Sequence, residues 1–137
     1  MSVRIRRVQY YTAHAADRPG SAYQILQQLS DAQVDLLAFS CLPIGPSSLH
    51  VTLFPEDPDR LERVARSFGL DLTPPQEAIL VHGDDELGAL TELHRQLYDH
   101  RVDVYATTGL TDAQHCFGYV IYVRHDEIDR ACEALGC

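Results

Sequence analysis

The chain repeats itself at an interval of 68 residues, and this repeat limits the folds open to it more than any other feature. The segment HAADRPG at 14–20 returns as HGDDELG at 82–88, with His, Asp and Gly in the same places. Between 14–43 and 82–111, ten of thirty aligned positions are identical without a gap. An internal duplication explains this agreement, so we expect two copies of one small folding unit.

Apolar spacing predicts the same order of elements in both copies: strand, helix, strand, strand, helix. Apolar residues three and four positions apart indicate amphipathic helices, and alternate apolar residues indicate strands with one buried face. The predicted strands are 5–13, 34–42 and one around 49–53, with copies at 77–81, 102–108 and one around 117–121. The predicted helices are 19–33 and 87–101, followed by one ending at Gly69 and one ending at Gly136.

The copies are expected to form domains at 1–73 and 74–137, divided at Thr73-Pro74-Pro75. Residues 70–73 are predicted to close the first copy as a short fourth strand. The second copy stops directly after its second helix, so we expect it to lack most or all of that strand. The pattern indicates an α+β protein with an antiparallel sheet and helices on one face.

Composition and motifs argue against several classes of function. The net charge is -9 and all eleven basic residues are Arg, which argues against nucleic acid as a partner. The sequence has no apolar run long enough to span a membrane and no signal peptide, so we expect a cytoplasmic protein. Neither the four Cys nor the seven His show metal-ligand spacing. We therefore predict no metal, no cofactor and no catalytic residue; a weak divalent-cation site at His82, Asp84 and Asp85 is the less favoured alternative.

The stretches DRPG with VDLLAFS, and DELG with VDVYATT, resemble the ACT domain, a small regulatory ligand-binding module. The resemblance covers nearly the whole chain as two tandem copies. It implies two ferredoxin-like βαββαβ units with the helices on one face of an antiparallel sheet. It also implies a non-catalytic regulatory protein that binds a small amino-acid-like ligand between its two units.

The family pattern places ligand-binding residues at two points that this chain matches. Asp17 and Asp85 stand where family members have an Asn three residues before the Gly, and Asp35 and Asp103 stand where they have an Asn entering the second strand. A family His is not matched, because His14 and its copy lie one residue too early. A shift of one residue reverses the side-chain direction on a strand.

The two Asp-x-x-Gly loops differ in charge. We expect the Asp of each to cap the following helix, whose free amides can also hold a carboxylate. Arg18 makes the first loop favour a ligand carboxylate, whereas adjacent acidic residues make the second favour a ligand ammonium. The predicted ligand-binding residues are Asp17, Arg18, Pro19, Gly20, Ser21, Asp35, Asp84, Asp85, Glu86, Leu87, Gly88, Ala89 and Asp103.

Two other functions fit the same sequence. One is a structural subunit that docks on a larger metabolic enzyme, and the other is a small ferredoxin-like enzyme, since a fold does not fix a function. Thr52 and Phe54, with their copies Val120 and Tyr122, are expected on the sheet face away from the helices. An uncovered face of this kind needs a partner, so the sequence predicts a homodimer.

Overall fold

A computed structural model describes residues 3–84, 88–112 and 114–137. The elements follow the predicted order of strand, helix, strand, strand, helix, which occurs twice. In the first run they are β1 (Val3–Ala16), α1 (Ser21–Asp31), β2 (Leu36–Ile44), β3 (Ser48–Pro55) and α2 (Pro58–Ser67). In the second run they are β4 (Gln76–Asp84), α3 (Ala89–Asp99), β5 (Val104–Thr111), β6 (Cys116–Val123), a 3-10 turn (His125–Glu127) and α4 (Ile128–Leu135). None of the helices in these described ranges combines the length and apolar content needed to cross a membrane.

Packing divides the chain into two compact units. The first unit contains 9–76, and the second unit contains 3–8 together with 77–137. Strand β1 is shared, because its later residues pair with β3 while Val3 and Ile5 pack against the core of the second unit. The domain boundary between Thr73 and Pro74, which we expect from the repeat, stays a prediction. Packing divides the chain elsewhere, between Gln76 and Glu77 and again between Val8 and Gln9.

In the first unit, β3 lies between β2 and β1, and both pairings are antiparallel. Alternate strand residues meet the helices on one face, as the period of two requires. The core consists of Tyr11, Ile25, Leu29, Val34, Val51, Leu53 and Leu61. Helix α2 begins as expected: Pro58 is in the first turn, and the Asp57 side chain accepts a hydrogen bond from the Arg60 amide.

Residues 70–73 do not form the predicted fourth strand, so that prediction is wrong. The segment still lies beside β1, where the Thr73 amide donates to the Thr12 carbonyl at 2.9 Å. The Thr12 amide in turn donates to Thr73 Oγ1 rather than to a backbone carbonyl. Pro74 and Pro75 follow and have no amide hydrogen, so the ladder cannot continue past Thr73.

In the second unit, β6 lies between β4 and β5, again with antiparallel pairing. Strand β1 is the neighbour of β4 on the side away from β6. The core joins alternate residues of β4 and β6 to one face of α3 and α4, including Ile79, Val81, Leu93, Leu97, Phe117, Tyr119, Ile121 and Ala131. Gly136 ends α4 in the left-handed conformation at φ 82, as the sequence predicts.

The expectation of an uncovered sheet face is wrong. Thr52 and Phe54 in the first unit, and Val120 in the second, are buried within the chain. Tyr10 stacks on Phe54 with 5.1 Å between ring centroids, so part of the cover comes from a neighbouring strand of the same unit. These side chains therefore give no support to a homodimer that uses this face.

Candidate functional site

The loop before α1 is held by backbone hydrogen bonds. The Asp17 amide donates to the Ser47 carbonyl at 2.9 Å, and the Arg18 amide donates to the Ala16 carbonyl at 3.0 Å. The buried Ser21 hydroxyl donates to the same Ala16 carbonyl at 2.7 Å. The side chains of Asp17 and Arg18 remain exposed, as charged groups in an open loop do.

Asp17 does not cap α1, so the capping prediction is wrong for this helix. The residue at the cap position is Gly20, with φ 90 and no side-chain hydrogen bond. A left-handed residue is where glycine costs least, because a Cβ would meet the following carbonyl oxygen. The glycine of the Asp-x-x-Gly pattern therefore forms the turn, and the aspartate is free of that role.

The loop before α3 repeats this conformation where it can be described. Gly88 is the cap residue at φ 84, again without a side-chain hydrogen bond, and its carbonyl accepts the Glu92 amide at 3.0 Å. Ala89 is buried, and Asp84 is exposed at the end of β4. The predicted residues Asp85, Glu86 and Leu87 lie outside the described residues.

The two strand-entry aspartates lie far from these glycines within their own units. Helices α1 and α3 separate Gly20 from Asp35 and Gly88 from Asp103 by 11 helical residues each, or roughly 16 Å. Asp35 is exposed, and its carbonyl accepts the Glu56 amide. Neither unit therefore brings its glycine and its strand-entry aspartate into one site.

Asp103 belongs to a separate surface feature at the end of α3. Its carboxylate pairs with Arg124 at 3.3 Å, and its amide donates to Glu127 Oε2 at 3.2 Å. With Asp99 and Arg101 it lines an open concavity of about 500 Å³. Asp103 is therefore already in contact with two residues of its own unit, Arg124 and Glu127.

A concavity near the start of α3 is formed, apart from the predicted Ala89, by residues that the sequence did not indicate. Its volume is about 500 Å³, and its lining is Ala89, Leu90, Gly109, Leu110, Thr111, Phe117, Gly118 and Tyr119. The Tyr119 ring lies over Gly109 so closely that a Cβ there would be 2.6 Å from the ring. The Tyr119 hydroxyl and His94 Nε2 form a hydrogen bond of 2.8 Å.

The repeat itself contained a signal for this arrangement. By the 68-residue shift, His94, Gly109 and Tyr119 replace Leu26, Cys41 and Val51 of the first unit. Tyr119 contacts both His94 and Gly109, so the three differences between the copies fall at one place in the second unit. Each departure is ordinary when taken alone, since a His in place of Leu26 at the edge of a helix face indicates only a packed or half-exposed side chain.

A second concavity, of about 470 Å³, combines opposite charges with an apolar surface. It is lined by Arg4, His82, Gly83, Asp84, Leu110, Thr111, Asp112, Cys116, Phe117 and Gly118. The room exists partly because Gly118 has no side chain: a Cβ there would be 3.8 Å from the His82 ring. Arg4 supplies a cation and Asp84 a carboxylate, so the lining can pair with both ends of a zwitterion.

Asp112 has a structural role at the rim of this second concavity. Its carboxylate accepts the amides of Gln114 at 2.8 Å and Cys116 at 3.1 Å. These two backbone hydrogen bonds, first that of Cys116, hold the pKa of Asp112 below its ordinary value. Asp112 therefore fixes the turn into β6, whereas Asp84 supplies a carboxylate at the end of β4.

The fold resembles solved structures at low sequence identity. Protein BT0572 from Bacteroides thetaiotaomicron matches with a TM-score of 0.81 and 14% identity, over 96% of this chain and 88% of that chain. The ligand-free regulatory subunit of aspartate kinase from Thermus thermophilus matches with a TM-score of 0.62 and 14% identity, over 98% and 94%. The corresponding subunit from Thermus flavus matches with a TM-score of 0.61 and 12% identity, over 99% and 95%.

These likenesses establish the fold class. The chain has an ACT-like, ferredoxin-like α+β fold. No family model and no curated protein matches its sequence.

Proposed function

We propose that this chain is a regulatory module made of two tandem ACT-type repeats, and that it binds a small amino-acid-like ligand. The ligand site is the concavity of the second unit that contains Arg4, His82 and Asp84. Ligand binding is read out by a partner enzyme, because the module itself carries no catalytic role in this proposal. The sharing of one ligand by both repeats stays a prediction from the family pattern.

The observation that carries this proposal is the placing of opposite charges around one apolar surface. Arg4 and Asp84 line the same concavity as Leu110 and Phe117. A guanidinium binds a carboxylate in a charge-assisted hydrogen bond, and a carboxylate can bind an ammonium in the same way. Polar groups at few points of a largely apolar lining are typical of small-molecule sites.

Two further observations support the regulatory part. The structures that resemble this chain include the regulatory subunits of two aspartate kinases. The element order strand, helix, strand, strand, helix also occurs twice here, as two ACT-type repeats without regular fourth strands would give. A module of this kind acts by linkage: a ligand that prefers one conformation shifts the population toward it.

The test is a thermal-shift screen of the twenty amino acids at millimolar concentration. A ligand that binds only the folded chain raises the midpoint of unfolding. We expect Arg4→Ala and Asp84→Asn each to remove most of that shift, because each removes one of the two charged contacts. Arg63→Ala, at an exposed position of α2, is the matched loss of a cation and should leave the shift unchanged.

Two results would count against this assignment. A shift that survives both Arg4→Ala and Asp84→Asn, but is lost in Asp17→Ala or Arg18→Ala, would move the site to the loop before α1. The absence of a shift with every amino acid would remove the ligand-binding proposal and leave the docking function.

That second function, a docking subunit, is favoured by strand β5. Among the described strands, β5 has β6 as its one neighbour in the sheet order, and it carries no charged residue. Tyr105 and Leu110 on it are 55% and 79% exposed. Natural edge strands usually carry charges or prolines that prevent pairing, so β5 is the contact we propose for an enzyme partner or for the predicted homodimer.

Sedimentation of the chain and of its Tyr105→Lys variant tests the dimer: a wild-type monomer would exclude it.

A further inference from the structure

The end of α4 brings two cysteine side chains together through its backbone conformation. Gly136 is left-handed, and the amides of Gly136 and Cys137 both donate to the Cys132 carbonyl, at 2.8 and 2.9 Å. The bond from Cys137 is the six-to-one bond of a Schellman motif. That motif usually places the side chains of its first and last residues in contact.

In this motif both of those residues are cysteine. Their Sγ atoms are 2.7 Å apart, which is within about 0.7 Å of a covalent disulfide bond. Both are free thiols, Cys132 buried against the core of the second unit and Cys137 exposed. A small rotation of two side chains would therefore bring the sulfurs to bonding distance without unwinding the helix.

We propose that Cys132 and Cys137 form a reversible intramolecular disulfide, making the end of α4 a site of oxidative modification. The oxidant is a small-molecule disulfide, R–S–S–R. The exposed Cys137 thiolate attacks one of its sulfurs and releases one R–S⁻, leaving a mixed disulfide on Cys137. The Cys132 thiolate then attacks the Cys137 sulfur and releases the second R–S⁻. Two protein thiols are oxidised, one R–S–S–R is reduced, and the two thiol protons pass to the two R–S⁻ products.

The surroundings of Cys137 indicate why the dithiol is oxidised slowly. Although the residue is exposed as a whole, its thiol lies against Cys132 and is partly desolvated there. This desolvation, followed by the hydrogen bond to Cys132, raises the pKa of the Cys137 thiol to about 12, while the charge of Arg7 acts in the opposite direction. Since the thiolate is the reacting form, a thiol with a raised pKa reacts slowly at neutral pH. The dithiol should therefore persist until an oxidant is present for long enough.

The first unit contains the matched control. Its helix α2 ends in the same way, with Gly69 left-handed and the Leu70 amide donating to the Ala65 carbonyl at 2.9 Å. Ala65 and Leu70 stand where the second unit has Cys132 and Cys137. The double variant Cys132→Ala with Cys137→Leu thus gives α4 a side-chain pair that already closes this motif elsewhere in the chain, so we expect it to fold.

The experiment uses the full chain and oxidised glutathione as the probe. After incubation, the chain is alkylated with iodoacetamide in denaturant and digested with trypsin, which cuts after Arg130 and leaves both cysteines in peptide 131–137. We expect that peptide to be unalkylated and about 2 Da lighter than its dithiol form; the exposed Cys116 lies on another tryptic peptide, so glutathione bound there does not affect this mass. The wild-type chain should lose two more free thiols than the double variant, which lacks Cys132 and Cys137.

Three results would overturn the proposal. One is a peptide 131–137 that carries two alkyl groups after oxidation. Another is a glutathione adduct that persists on Cys137, which would mean that Cys132 cannot reach it. The third is a disulfide that joins either residue to Cys41, to Cys116 or to a second chain.

Discussion

The starts and ends of α1 and α3 have the same backbone, but their surroundings differ. Gly20 and Gly88 precede these helices at φ 90 and 84, and Gln33 and Arg101 follow them at φ 58 and 59. The bonds that close the two helix ends also agree: Val34 donates to Leu29, and Val102 to Leu97, both at 2.9 Å. The repeat has therefore kept the local hydrogen bonding of both copies.

What the copies do not share is the packing beside the helix start. In the second unit the Tyr119 ring covers Gly109 and its hydroxyl bonds to His94. The first unit has aliphatic or thiol side chains at all three places. A repeated backbone can therefore carry two different sets of side-chain contacts beside the same helix start.

The greatest loss of stability is expected in the hydrophobic cores, which both units build from equivalent residues. Leu29 and Leu97 are equivalent, and each is 1% exposed. Truncating either to Ala should lower the free energy of unfolding by about 2–5 kcal/mol, from lost burial and the cavity that remains. Urea denaturation of both variants measures this. Losses that differ by more than twofold would show that the two cores are not equally well packed.

Substitution of Gly109 tests the close packing under Tyr119, which belongs to the second unit. A Cβ at this position would lie 2.6 Å from the Tyr119 ring, so Gly109→Ala should cost about 1–3 kcal/mol through overpacking. Gly118→Ala is the control, because its Cβ would be at an ordinary 3.8 Å from His82. If both variants were equally stable in urea, the close packing of Tyr119 on Gly109 would be disproved.

The two helix-start glycines should respond alike. Gly20→Ala and Gly88→Ala each put a Cβ on a left-handed residue, which costs roughly 1–2 kcal/mol. Among the described residues beyond the chain neighbours, no atom lies within 4 Å of either new Cβ, so backbone strain is the expected cause of the loss. Thermal or urea unfolding that showed one substitution to be neutral would mean that this loop has a second accessible conformation.

The smallest effect concerns an ion-pair cluster of the second unit. Arg7 bonds to Glu77 Oε1 at 2.9 Å and to Asp129 Oδ1 at 2.6 Å. The hydrogen bond from Arg7 lowers the pKa of Glu77 below its ordinary value. A lowered pKa means that this stabilisation is present above the ordinary pKa of Glu and is lost as the pH falls through the folded-state value.

The corresponding measurement compares wild type with Arg7→Ala at pH 6 and at pH 3. Because the cluster is partly exposed, we expect a difference of about 1 kcal/mol or less at pH 6, which shrinks at pH 3. A difference that grew on acidification would contradict the assigned role of Arg7.

Two of the wrong structural predictions, a fourth strand at 70–73 and an uncovered sheet face, share one cause. Residues 70–73 have the apolar alternation of a strand, and the outer face of the sheet has the pattern of an uncovered surface. Both patterns are local, whereas the state of these residues depends on what other segments supply. Pro74 and Pro75 limit the pairing of 70–73, and part of the cover of Phe54 comes from Tyr10.

Local sequence patterns account for the element order, the two glycine turns and the ends of α2 and α4. These features depend on residues within a few positions of one another, where side-chain period and φ preference act directly. Tertiary structure alone decided the sharing of β1 between two units, the burial of the outer face, and the meeting of Arg4 with Asp84 around one concavity. Arg4 and Asp84 are 80 positions apart. Contacts at such separations are set by how strands pair and which faces pack, and no local pattern encodes that.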